Sequence, residues 1–140
     1  TKIVYVGTLV NKYRSQGTYT MYYGDKQVYL CSAVSGASNC KSYTIPNGDW
    51  DVVSITNRSE AMFTSNGVGF TANIEPDPFY DNRAGRNRQY IRIHPARSNG
   101  TNGCIGLRAN RAQLIRARDL IRNSLKRGLT IKLHVQINSN

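Results

Sequence analysis

His94 and Cys104 stand with nine residues between them in the stretch Ile91-Arg92-Ile93-His94-Pro95-Ala96-Arg97-Ser98-Asn99-Gly100-Thr101-Asn102-Gly103-Cys104-Ile105-Gly106-Leu107. A thiol becomes a good nucleophile when a base or a positive field lowers its pKa. Histidine at the end of a strand can be that base if a third group orients its ring. Gly103 lets the backbone turn tightly before Cys104, and turned N–H groups beside a thiol can hold an oxyanion. Arg97 and the neighbouring Arg83, Arg86, Arg88 and Arg92 add a field that favours thiolate. For an arbitrary pair, the blander account is a buried small cysteine and a satisfied surface histidine. Metal binding finds no support, because a third and fourth ligand at suitable spacing are lacking.

The elements that must position this pair can be read locally. Thr18–Tyr23 and Lys26–Ser32 are rich in Tyr, Thr and Val and are joined by Gly24-Asp25, a two-residue hairpin signal. The amino end alternates like a strand. Trp50–Ile55 reads as a further strand introduced by Pro46-Asn47-Gly48, and Gln89–Ile93 as a short one ending on His94. The span from Arg58 to Arg88, with Gly67, Gly69, Pro76, Pro78 and Gly85, reads as irregular. Asn110 caps a helix from Arg111 to Arg127, Gln113 completes a capping box, and Gly128 supplies the stop. Leu114, Ala117, Ile121 and Leu125 form its apolar stripe. Thr130–Ile137 alternates as a closing strand. The fold class expected is mainly β (α+β), with one packed amphipathic helix.

The 140 residues suit one domain, residues 1–140, with an ordinary core. No apolar run reaches the length of a membrane span. No secretory signal is visible, so the expectation is a mature chain or a route that needs no signal. Nineteen basic against eight acidic residues give a formal charge of +11, which favours an anionic partner such as nucleic acid, acidic lipid or the cell wall. Three cysteines make an odd count. One economical arrangement bridges Cys31 to Cys40 across a short loop and leaves Cys104 free; three reduced thiols are about equally compatible with the count.

The segment around Cys104 resembles the active-site signature of the YkuD-type L,D-transpeptidases: a histidine, a variable loop, then Ser/Thr-His-Gly-Cys and an aliphatic residue. The corresponding run here is Thr101-Asn102-Gly103-Cys104-Ile105. Val34-Ser35-Gly36 and Ile45-Pro46-Asn47-Gly48-Asp49-Trp50 resemble two further stretches of that family, in the same order. Asn102 replaces the family's histidine before Gly-Cys, and Gly106 replaces its arginine two residues after the cysteine. With the short His94–Cys104 spacing, these departures make the chain similar to a compact branch of effectors that bacteria inject into competitors by type VI secretion.

The resemblance implies a β-sandwich catalytic domain and a thiol acyl-transfer enzyme acting on peptidoglycan tetrapeptide stems. It implies Cys104 as nucleophile and His94 as base, with the Pro95 carbonyl orienting the ring. The N–H groups of Asn102, Gly103 and Cys104 would form the oxyanion hole, and Arg97 and Thr101 would contact substrate. Water would give L,D-carboxypeptidase activity, and an amine would give exchange or crosslinking, with no cofactor. The effector branch implies an antibacterial toxin at work in the periplasm, with a cognate immunity protein as a further partner. Two other classes stay open: a non-catalytic wall- or protein-binding module, and, ranked below it, a basic nucleic-acid binder using the arginine-rich helix.

Overall fold

In a computed structural model, which describes residues 1–139, the chain forms eleven strands and one α-helix. The strands are β1 (Lys2–Leu9), β2 (Ser15–Tyr23), β3 (Lys26–Ser35), β4 (Gly48–Asn57), β5 (Thr64–Ser65), β6 (Val68–Glu75), β7 (Phe79–Asp81), β8 (Arg86–Arg88), β9 (Arg92–Pro95), β10 (Ile105–Arg108) and β11 (Ile131–Asn138). The helix, α1, spans Arg111–Lys126 between β10 and β11.

The hairpin β2–β3 turns on Gly24, whose φ of +58° suits the first position of a two-residue turn and costs glycine nothing. Alternation then decides which side chains face inward. Ile3 and Tyr5 of β1 are buried with half-exposed Val4 between them, and Tyr19 and Met21 of β2 are buried with Thr20, also buried, between them. The α1 capping box forms in full: the Asn110 side chain accepts from the Gln113 N–H, and the Gln113 side chain accepts from the Asn110 N–H. Leu114, Ala117 and Ile121 are buried as their spacing predicts, joined by Leu120 and Ser124, whereas Leu125 is only half-buried. That face packs on β4, β6 and β11.

The sheet is one continuous surface, not the two packed layers of a sandwich. Its order is β4-β11-β1-β2-β3-β10-β9-β6, and β6 pairs back onto β4, so the strands close on themselves. The closing strand lies within the span that reads as irregular. Val68–Glu75 pairs antiparallel with β4 along most of its length and with β9 through Ala72 and Asn73. Gly69 within it serves close approach: a Cβ there would stand 2.1 Å from the Arg58 carbonyl oxygen. A second revision falls beside the site. β9 begins at Arg92 instead of Gln89, because Tyr90 takes a left-handed φ of +61° that interrupts an extended strand.

Cys31 and Cys40 are both free thiols. Cys31 sits mid-strand in the core, pointing with Tyr19 and Tyr29 into the buried cluster. Cys40 lies exposed beyond the end of β3, where its sulfur contacts Ser42 Oγ and Asn102 Oδ1. A bridge needs Cα atoms within about 7 Å; here one thiol is buried in the core and the other exposed beyond the end of β3.

Candidate active site

β9 and β10 run parallel and adjacent, with Ile93 opposite Ile105 and His94 opposite Gly106. One step back along this register sets Arg92 against Cys104. The two-residue period of a strand then puts Arg92 and His94 on the same face. The Arg92 N–H donates to the Cys104 sulfur at 3.2 Å, and the thiol donates to the Tyr90 carbonyl at 3.4 Å. Tyr90 is pinned in its left-handed conformation by its own N–H, which donates to Asp77 Oδ1 at 3.1 Å. Side chains of Cys104, His94, Arg92, Arg97, Tyr90 and Phe63 line one open cavity of about 540 Å³.

His94 is buried, and its Nδ1–H donates to the Pro95 carbonyl at 2.6 Å. That bond fixes the tautomer and leaves Nε2 with its lone pair. The Phe63 ring meets the imidazole edge-on at 5.2 Å between centroids. Burial drives the His94 pKa below its ordinary value; the Pro95 bond opposes this and the Arg92 charge adds to it. Burial likewise pushes the Cys104 thiol up, against the Arg92 N–H bond and the charges of Arg92 and Arg88. Both shifts favour the uncharged forms, so the resting pair is thiol and imidazole.

The turn that presents Cys104 is held from below. Ser35 Oγ donates to the Gly103 carbonyl at 2.8 Å and accepts from the Ile45 N–H at 2.9 Å. Thr101 is buried and its hydroxyl is fully engaged: it accepts from the Gly36 and Gly103 N–H groups and donates to the Cys104 carbonyl. Its hydroxyl sets the Gly103–Cys104 turn, and the residue also lines the cavity. Because the Gly103 N–H is given to Thr101, an oxyanion would draw on the N–H groups of Asn102 and Cys104.

Arg88 grips the same turn from the other side, donating to the Asn102 and Tyr43 carbonyls. Gly103 has a φ of +114°, and a Cβ there would fall 2.1 Å from the Arg88 guanidinium, so both backbone and space require glycine. Arg88 is itself buried and paired with buried Asp81 at 2.8 Å, which Arg83 also clasps. Burial alone would raise the Asp81 carboxyl, but the Arg83 and Arg88 bonds overcome it and hold the group far below the ordinary carboxylate range.

The five arginines that crowd this segment in sequence therefore divide. Arg92 and Arg97 line the cavity, and Arg97 Nε donates to the Thr64 carbonyl at 2.7 Å. Arg83 and Arg88 belong to the Asp81 cluster, while Arg86 is exposed beside a separate cleft. The sequence reading names neither Asp81 nor the hydroxyl role of Ser35. Asp81 carries no local signal; Ser35 falls in the Val34-Ser35-Gly36 stretch, the one hint available. His134 is on β11, with Nδ1 2.7 Å from Asp49 Oδ1, and does not line the cavity.

Two neighbouring strands thus bring Cys104 and an oriented His94 to one positively lined cavity. The YkuD family model, the L,D-transpeptidase catalytic domain, matches residues 8–118, and the chain belongs to that family. No curated protein and no solved structure gives a match. The structure also accounts for the departure at Gly106: a Cβ there would stand 2.6 Å from the Ala96 Cβ and 2.8 Å from Thr101 Cγ2. An arginine has no room at that position.

Proposed function

We propose that the chain cleaves or exchanges the terminal D-alanine of peptidoglycan tetrapeptide stems through an acyl-enzyme on Cys104. The observation that carries this is the His94–Pro95 hydrogen bond, which leaves Nε2 as a base in the cavity that Cys104 lines. Nε2 takes the thiol proton as sulfur attacks the carbonyl carbon of the bond between the L-centre and D-alanine. The Asn102 and Cys104 N–H groups receive the oxyanion. The C–N bond breaks, His94 returns the proton to the departing amine, and a thioester remains. Water or an amine, deprotonated by His94, then attacks the thioester and restores the thiol. Because the resting pair is uncharged, proton transfer accompanies attack and does not precede it.

The compact His94–Cys104 spacing and the residues Asn102 and Gly106 support a further reading, an antibacterial effector acting in the periplasm. A cognate immunity protein would be its partner. The charge of +11 suits work at an anionic wall.

Incubation with purified muropeptides followed by mass spectrometry tests the chemistry. Release of D-alanine, or its replacement by an added D-amino acid, is the expected result. His94→Ala is expected to lower that rate by about 10²–10⁴-fold, the usual contribution of a positioned base. His134→Ala is expected to retain it. An essential His134 with a dispensable His94 would overturn the assignment.

A further inference from the structure

Arg92 and Arg97 both line the cavity without a carboxylate partner among the described residues, but only Arg92 keeps a buried Nε that nothing accepts. Arg58, Arg83, Arg88 and Arg118 each have a carboxylate within ion-pair distance, whereas Arg92 has none among the described residues. Its guanidinium carbon lies 4.8 Å from the Phe63 ring centre and 5.5 Å from that of Tyr90. Aromatic faces attract the charge but accept none of its N–H hydrogen bonds. The Nε atom is buried and has no partner among the described residues. The residue is half-buried, so the rest of its guanidinium remains open to the cavity, next to the Cys104 thiol whose pKa its charge lowers.

Its surroundings say what kind of group would complete it. No aspartate or glutamate lines the cavity among the described residues, and the other cation there, Arg97, already spends its Nε on a backbone carbonyl. Arg92 lies opposite Cys104 across the β9–β10 register, near enough for its charge to act on the thiol. An anion bound to it would sit beside the reacting sulfur. The D-alanine leaving group carries its free carboxylate only a few bonds from the scissile carbonyl.

We propose that Arg92, caged by Phe63 and Tyr90, is the carboxylate-binding residue of the site and selects substrates whose leaving group ends in a free carboxylate. The identity of that carboxylate rests on the function proposed above; the anion site itself does not. Arg92 supplies from β9 a cation that the crowded Gly106 position on β10 cannot. Before attack it orients the leaving group. After the C–N bond breaks it holds D-alanine as an anion until release.

Alkylation of Cys104 separates the two levels. Iodoacetate and iodoacetamide differ in the carboxylate, and both react with the thiolate, so the ratio of their rates cancels any change in thiol pKa. Mass spectrometry resolves Cys104 from Cys40. In Arg92→Gln the iodoacetate-to-iodoacetamide ratio is expected to fall about ten-fold or more, as for loss of one charge-assisted hydrogen bond. Arg92→Lys is expected to retain part of the preference, and Arg97→Gln most of it. An unchanged ratio in Arg92→Gln overturns the proposal, and so does an equal fall in the Arg97 variant, which would mark a diffuse field. Tetrapeptide stems with a C-terminal acid or amide then test the substrate. The native protein is expected to prefer the acid, and Arg92→Gln to lose that preference through a raised KM. If the alkylation ratio falls but neither peptide reacts, the anion site stands and the peptidoglycan reading fails.

Discussion

Cys104→Ala is expected to abolish D-alanine release and exchange, by about 10³-fold or more, while leaving the fold in place. Loss of a covalent nucleophile removes the reaction path itself, not one increment of stabilisation along it. The structural cost is small by comparison. Alanine keeps the buried Cβ and forfeits only the contacts of sulfur with the Arg92 N–H and the Tyr90 carbonyl, about 1 kcal/mol. Thermal unfolding followed beside muropeptide turnover separates the two effects. Cys31→Ala provides the contrast: burial raises that core thiol to about 11, and it lies on β3 away from the cavity. Its loss is expected to cost stability through a small core void and to spare the chemistry. Turnover that persists in Cys104→Ala would sink the mechanism.

The largest effect on stability is expected at Asp81. Asp81→Asn removes the only carboxylate paired with buried Arg88 among the described residues, and breaking such a pair costs about 3–5 kcal/mol. The damage also reaches the site, because Arg88 holds the Asn102 carbonyl. Chemical denaturation of the variant measures the first consequence, and the rate of Cys104 alkylation the second. The pH dependence has a definite sign. Asp81 has a depressed pKa in the folded protein, so its contribution is complete above the ordinary aspartate value of 3.8 and is lost as pH falls below it. In Asp81→Asn that portion of the acid destabilisation is expected to vanish. A variant as stable as the parent at neutral pH would show that the Asp81–Arg88 pair is replaceable.

What the sequence makes legible follows the range of the forces involved. The Gly24 turn, the Asn110–Gln113 box and the α1 stripe depend on residues close in the chain, and each appears with nearly the expected bounds. Trp50–Ile55 is extended by a few residues at each end, to Gly48–Asn57, because pairing with β11 and β6 continues past its apolar centre. β6 is missed for the opposite reason. Gly67 before it, Gly69 within it and the prolines beyond it read as loop, and only its partners on β4 and β9 make Val68–Glu75 a strand. That omission also hides ring closure, and the two-layer sandwich that the family resemblance implies gives way to one surface that closes. At the site, the Cys104 and His94 positions stand out by residue type. The clasp of Asp81, Arg88 and Ser35 does not, since Ser35 and Arg88 reach the Gly103 turn and Tyr43 across distant segments. The Cys31–Cys40 bridge does not form: Cys31 is turned into the core while Cys40 lies exposed beyond the end of β3.

The placement of β11 has a consequence for how the molecule is made. Its residues enter between β1 and β4, pairing in parallel with the start of the chain. Until they leave the ribosome, β1 and β4 have no neighbour to join them, and the ring that braces β9 and β10 stays open. Such long-range closure belongs to the slow class of folding, milliseconds to seconds. The ring that braces the cavity therefore closes only once β11 is in place, well after the residues that line the cavity have been made.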